Sequence, residues 1–315
     1  MARVLSATLV IAVLAATAVA FAVTERAKLA KSPIYATRVT KLFSPNCAAP
    51  CRPGLGSETA TVSFVLKSRE RVSVWIERGD SRVATLADGK SYPGRRRVSL
   101  TWDGLTEHGL LVPDGTYQPF VKLERSHRTI GLPNPIVIDT KAPVISVKHP
   151  IYPIISPDGD GHADVVRVPY RVSEPAHAVL LLGRKRLVVT YRQPLHGTLV
   201  WNGKLGTPPR PAAPGKYVLY VAAIDRAGNL SKPYPFAIVQ IRYVALARTS
   251  VHAAPGSRFA IRVSTDAPTV RWRLNGGTGL LHRGTLRIRA PRKAGTYTLY
   301  VAAAGHAARC TVVVS

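Results

Sequence analysis

From residue 57 onward apolar and polar side chains take turns along the chain. Ala60, Val62, Phe64 and Leu66 are interleaved with Thr61, Ser63 and Lys67, and Val72, Val74 and Ile76 with Arg71, Ser73 and Glu77. Near the C-terminus Phe259, Ile261 and Val263 alternate with Arg258 and Arg262. Val270, Trp272 and Leu274 alternate with Arg271 and Arg273, and Leu286 and Ile288 with Arg287 and Arg289. Successive side chains of a strand point to opposite faces, so a period of two predicts strands with one face in a core and the other in water. Gly, Asp and Pro bound each run, as turns require. No later segment keeps a 3.6-residue stripe, so the expected class is all-β.

The exception comes first in the chain. Val4 to Val23 is a run of 20 uncharged residues, long enough to span a hydrocarbon core as a helix. Ala18-Val19-Ala20 and Ala20-Phe21-Ala22 also carry the small-residue pattern of a signal cleavage site. Residues 1–24 are therefore expected to be a transmembrane anchor or a signal peptide, and residues 25–37 a short stalk. Arg26, Lys28 and Lys31 follow the segment, whereas only Arg3 and the amino terminus precede it, which meets the positive-inside rule poorly for an exported chain. The strand-rich remainder and a cysteine pair favour an extracytoplasmic, single-pass membrane-anchored chain, with secretion after cleavage as the alternative.

An internal repeat organises the rest. Gly115-Thr116-Tyr117 returns as Gly215-Lys216-Tyr217 and as Gly295-Thr296-Tyr297, each leading into a Val at the same distance (Val121, Val221, Val301). Trp102-Asp103-Gly104 and Trp201-Asn202-Gly203 precede the first two copies. A turn glycine followed by a tyrosine entering a late strand resembles the corner of immunoglobulin-like sandwiches, where the hydroxyl ties back to the backbone. Trp102, Tyr117, Trp201, Tyr217 and Tyr297 are thus expected to be structural. The repeat predicts three tandem immunoglobulin-like β-sandwiches behind the N-terminal hydrophobic helix, over 38–140, 141–240 and 241–315. Ile138-Asp139-Thr140-Lys141-Ala142-Pro143 separates the first two, and Ser231-Lys232-Pro233-Tyr234-Pro235 is expected to precede the third.

Phe43-Ser44-Pro45-Asn46, Thr101-Trp102-Asp103-Gly104, Gly109 and Val112-Pro113-Asp114-Gly115-Thr116-Tyr117 look like the Ig-like domain of the bacterial flagellar hook-capping protein. The second domain resembles it through Ser156-Pro157-Asp158-Gly159-Asp160-Gly161 and Ala223-Ile224-Asp225-Arg226-Ala227-Gly228-Asn229; the third is generically Ig-like. The resemblance implies a fold, shared by many secreted bacterial surface proteins, rather than an activity. Nothing resembles that protein's N-terminal hook-binding region.

Charge changes the functional picture. The chain carries 44 Lys+Arg against 17 Asp+Glu, a formal +27, which points to an anionic partner. Basicity rises along the chain: 15 basic and 10 acidic side chains in residues 38–140, 13 and 5 in 141–240, 12 and 1 in 241–315. If the arginine-bearing runs of the third domain include neighbouring strands, Arg258, Arg262, Arg287 and Arg289 crowd one outer face, suited to an anionic cell-envelope polymer or lipid headgroups. A generally Arg-rich, well-solvated face is the alternative. The expected role is a structural or adhesive cell-envelope protein; a noncatalytic targeting subunit of a cell-wall enzyme system is the alternative, with a nucleic-acid-binding protein behind it. Nucleic acid is not expected, because aromatic residues interleaved with basic ones are sparse.

Three cysteines are too few for a disulfide scaffold. Cys47 and Cys51 are expected to close a small local bridge, worth about 2 kcal/mol by chain entropy, and free thiols are the alternative. Asp158, Asp160 and Asp164 place three carboxylates in a glycine-rich loop, the oxygen-rich pattern that suits calcium. An ordinary Asx turn is the competing reading, and Pro169 stands where an EF-hand has its last, bidentate Glu. Gly89-Lys90-Ser91 lacks the earlier glycine of a phosphate loop and is expected to be a hairpin turn. No His-Glu-x-x-His or Gly-x-Ser-x-Gly motif occurs, and the expected protein is not an enzyme. No cofactor is expected beyond that calcium, and the oligomeric state is left open.

Overall fold

The computed structural model describes residues 13–19, 21, 32–48, 51, 56–148, 151–282 and 284–315. Residues 13–19 and 21 are helical, and the rest of the expected 1–24 segment lies outside the described residues. Among the described residues no helix is long and apolar enough to cross a membrane. The chain divides into two compact units: residues 1–45 with 58–139, and residues 46–57 with 140–315.

The first unit holds one sandwich of nine strands: β1 (Ile34–Val39), β2 (Leu42–Phe43), β3 (Ala60–Leu66), β4 (Glu70–Arg78), β5 (Ser81–Tyr92), β6 (Arg97–Trp102), β7 (Gly115–Leu123), β8 (Arg128–Gly131) and β9 (Ile136–Ile138). One sheet runs β1-β3-β6 and the other β2-β9-β7-β4-β5, with β8 paired to β7. The expected alternation fills the space between them: Val62, Phe64, Leu66, Val72, Val74 and Ile76 are all buried.

The second unit contains two more sandwiches with separate cores. One comprises β10 (Ile145–Ser146), β11 (Ile154–Ile155), β12 (Val166–Val172), β13 (His177–Leu182), β14 (Lys185–Val189), β15 (His196–Trp201), the small ribbon β16 (Lys204–Leu205) with β17 (Arg210–Pro211), β18 (Gly215–Ile224) and β19 (Tyr234–Ile241). The other comprises β20 (Ala245–Leu246), β21 (Ser250–Ala253), β22 (Arg258–Ser264), β23 (Thr269–Leu274), β24 (Gly277–His282), β25 (Gly284–Arg289), β26 (Gly295–Ala303) and β27 (His306–Val314). Their sheets run β10-β12-β15 with β11-β19-β18-β13-β14, and β20-β22-β25 with β21-β27-β26-β23-β24. All three sandwiches therefore share one topology. In each, the short second strand leaves the first sheet and pairs in parallel with the last strand.

The repeated tyrosines close the corners. Tyr217 Oη donates to the Ala213 carbonyl at 2.8 Å and Tyr297 Oη to that of Lys293 at 2.9 Å; Tyr117 Oη donates to the Pro113 carbonyl in the same way. Gly115, Gly215 and Gly295, two residues earlier, hold φ of 150°, 159° and 148°, a region that side chains disfavour. Trp102 and Trp201 pack edge-on against Tyr117 and Tyr217, with centroids 5.2 and 6.0 Å apart. Their indole N–H groups donate to Leu105 and Lys204 carbonyls at 2.9 and 3.1 Å. The third sandwich has no such tryptophan; the buried Ala290 directly follows β25 instead. Asp225, in the Ala223–Asn229 motif of the second sandwich, accepts from Gly228 and Asn229 N–H at 2.7 and 2.9 Å and so orders the β18–β19 turn. Cys310 is a core residue whose thiol burial pushes above the usual range.

Four expectations shift. β1 begins at Ile34, within the expected stalk, because Ile34 buries and pairs with Leu66. Residues 46–57 group with the second unit rather than the first domain: the Ala48 N–H donates to the Gly228 carbonyl at 3.0 Å. Ser231–Pro235 leads into the last strand of the second sandwich, with Tyr234 and Pro235 already in β19, rather than lying between domains. Pro235 is tolerated there because the ladder slips between Leu219 and Tyr220, where a missing N–H costs little. Gly89–Ser91 is no hairpin turn but lies inside β5, at irregularities of the β4–β5 register; Arg71 Nε donates to the Gly89 carbonyl at 3.1 Å.

One buried acid anchors the first sandwich. Glu70, only 5% exposed, accepts from Ser126 Oγ at 2.7 Å and from the Arg125 and Arg71 N–H groups at 2.9 and 3.0 Å. Burial raises its carboxyl, but these hydrogen bonds and the Arg125 charge outweigh that and hold it below the ordinary 4.5. Glu70→Gln is expected to destabilise the sandwich near neutral pH by about 1–3 kcal/mol. Since the native pKa is the lower one, this stabilisation is full above the unfolded value and fades as pH falls through the native value. Urea titrations of both proteins at a series of acid pH values check it; a pH-independent difference contradicts it.

Candidate anion-binding face and acidic loop

In the third sandwich β22 and β25 are hydrogen-bonded neighbours. Ile261 and Val263 on β22, and Leu286 and Ile288 on β25, are buried in the core, with Phe259 packed against it. That alternation turns Arg258, Arg262, Arg287 and Arg289 outward, and all four are exposed. Arg258 stands directly opposite Arg289; Arg287 faces Ala260 and Arg262 faces Thr285. Like charges opposite one another on neighbouring strands repel. Among the described residues none of the four arginines joins an ion pair. The small Ala260 and Thr285 leave the guanidinium groups room to converge on a common ligand.

The other sheet of this sandwich is also basic. Arg271 and Arg273 on β23 are exposed. Arg273 and Arg309 both lie over the Tyr300 ring, 5.1 and 5.2 Å from its centroid. Arg271, Arg273, Leu280 and Tyr300 line a depression of about 580 Å³. Tyr300 and Arg309 escaped the sequence reading, although a signal existed. Three residues after each corner tyrosine stands another aromatic: Phe120, Tyr220 and Tyr300. Phe120 stacks on Trp75 at 5.8 Å, and Arg82 covers that Trp75 at 4.3 Å, so aromatic–arginine stacking recurs.

Asp158, Asp160 and Asp164 come together in the loop between β11 and β12. One oxygen from each lies within 4.8 Å of the others. The Asp164 oxygens accept from the Gly159 and Gly161 N–H groups, both at 2.7 Å. Asp158 accepts from the Asp160 N–H at 3.2 Å, and Asp160 from that of His162 at 2.7 Å. Gly159 and Gly161, with φ near 89° and 87°, allow the tight curl. The Ser156 hydroxyl also donates to Asp158 at 3.4 Å, and His162 Nδ1 lies 3.7 Å from Asp160 Oδ1. Cys47 and Cys51 are joined in a disulfide, with Cα atoms 6.1 Å apart.

No known family model matches the chain, and no curated protein does. Solved structures similar to the chain include tandem Ig-like domains of titin. Titin domains I67–I69 match over 91% of this chain and 99% of that one, at 10% identity and a TM-score of 0.32. Three N-terminal domains of the bacteriophage RB49 outer capsid protein Hoc match over 89% and 97%, at 11% and 0.27. A Bacteroides ovatus protein, SGBP-B of a mixed-linkage glucan utilization locus, in complex with a mixed-linkage heptasaccharide, matches over 87% and 66%, at 15% and 0.22. Likeness at this level carries no argument about ligand or role.

Proposed function

We propose that this chain is a non-enzymatic extracytoplasmic envelope protein in which two Ig-like modules carry a basic third module that holds an anionic envelope polymer. The observation behind this reading is the outer face of β22 and β25. Four exposed arginines share it, two of them directly opposed. The segment from 241 onward offers a single acid against 12 basic side chains. A polyanion relieves that repulsion and releases counterions when it binds. The Ig-like modules serve as structural and adhesive spacers, the first two of the hook-capping type that their Trp-Asx-Gly and Gly-x-Tyr motifs resemble. Val4–Val23 tethers the chain to the membrane and places the modules outside.

Two experiments test this. Protease added to intact cells or spheroplasts is expected to digest residues 32–315; full protection until lysis contradicts the placement. The full chain is expected to bind polyphosphate with an affinity that falls about tenfold or more between low and physiological salt. Replacing Arg258, Arg262, Arg287 and Arg289 together with Gln is expected to remove most of that binding. A variant that binds as the parent does, or a preference for single-stranded DNA that the variant keeps, overturns the assignment.

A further inference from the structure

The larger sheet of the third sandwich, β21-β27-β26-β23-β24, has an outer face unlike its counterpart in the second. The corner tyrosines Tyr217 and Tyr297 align the two late strands, so Tyr220 and Ala222 correspond to Tyr300 and Ala302. Across the ladder Tyr220 meets Leu181 and Ala222 meets Val179. Tyr300 instead meets Arg273, and Ala302 meets Arg271. Val179, Leu181 and Ala222 are buried in a small apolar cluster of their own, whereas Arg271 and Arg273 are exposed. In the first sandwich the same position sets Phe120 against Trp75. The shared frame therefore does not require arginine here.

These arginines border a hollow. Arg309 on β27 stands opposite Tyr300, so Arg273, Tyr300 and Arg309 form a row across three strands, with both guanidinium groups over the ring. A guanidinium carried on an aromatic ring keeps its N–H edge available to an anion. Among the described residues none of Arg271, Arg273 and Arg309 joins an ion pair. The one acid from residue 241 onward, Asp266, lies in the loop between β22 and β23, off this sheet. The neighbouring row runs Leu280, Arg271, Ala302, Ala307. Leu280 is 68% exposed, and the two alanines are too short to fill the space beside Tyr300. The depression of about 580 Å³ that results has the size of a small-ligand site, with an apolar floor and a few charged groups at its edge.

The chemistry of the walls selects the ligand. β23, β26 and β27 are each paired on both sides, so no main chain is free for an extended peptide to pair with. Polyphosphate has charge but no apolar surface to cover Leu280, Ala302 and Ala307. A sugar acid has both, a ring with a C–H face and a carboxylate. We propose that this depression binds a uronic-acid unit of an anionic polysaccharide, its carboxylate on Arg271 and Arg273 and its ring over Leu280 and Ala302. Arg309, beyond Tyr300, is placed for the carboxylate of a further unit. The site lies on the other sheet from Arg258, Arg262, Arg287 and Arg289, so the two assignments fail separately.

Calorimetric titration of tetragalacturonate into the full chain tests it. Saturable one-to-one binding is expected, and a neutral tetrasaccharide is expected to bind about tenfold more weakly or worse. Replacing Arg271 and Arg273 together with Gln is expected to weaken the binding about tenfold or more without lowering Tm, since both side chains are exposed. Ala302→Leu, which fills the hollow and leaves every charge in place, is expected to weaken it as much. The variant with Arg258, Arg262, Arg287 and Arg289 replaced by Gln is expected to bind tetragalacturonate as the parent does. Absence of saturable binding at millimolar concentration overturns the site. So does parental binding by either the Arg271 and Arg273 variant or Ala302→Leu, or loss of binding in the four-arginine variant. Tighter binding of a tetraglutamate peptide than of tetragalacturonate also overturns it, in favour of an acidic peptide.

Discussion

The alternation of arginine with apolar residues on β22 and β25 governs what the C-terminal sandwich presents. Ile261, Val263, Leu286 and Ile288 must enter the core together, and the antiparallel register then sets Arg258 against Arg289. A strand cannot bury these apolar residues without turning every intervening arginine to the same side. The charge on that face is therefore a consequence of folding. Among the described residues no acid of the sandwich pairs with it.

Beneath this face lies a scaffold used three times. The same strand order, the same parallel pairing of the short second strand with the last, and the same tyrosine corner recur in all three sandwiches. Where they diverge, the divergence carries chemistry. The segment after the second strand holds a disulfide in one case, at Cys47 and Cys51, and three carboxylates in the next. The third sandwich gives up the tryptophan of the other two and has the buried Ala290 just after β25, while keeping the corner of Tyr297. Constant corners hold the frame while loops and outer faces vary.

Much of this frame was legible in the amino-acid order. Alternation found the core residues, and the Gly-x-Tyr repeat found both the number of sandwiches and their corners. The arginine face was legible too, since strand parity fixes sides without any knowledge of the loops. What escaped was set by contacts distant in sequence. Ile34 belongs to a strand because Leu66 lies beside it, and Pro235 is strand rather than linker because the ladder slips there. The bond from the Thr265 hydroxyl to the Tyr243 carbonyl, which ties the third sandwich to the end of the second, is another such contact, and no local pattern announces it.

Hydrogen exchange of the full chain, with and without saturating polyphosphate, tests the central claim most directly, because it reports where the polyanion sits rather than how tightly it binds. Binding across the arginine face predicts slowed exchange in β22 and β25 and at their connecting loops, with the first sandwich unchanged. Protection that spreads evenly over the basic segments, or gathers on the first sandwich and spares β22 and β25, contradicts the account.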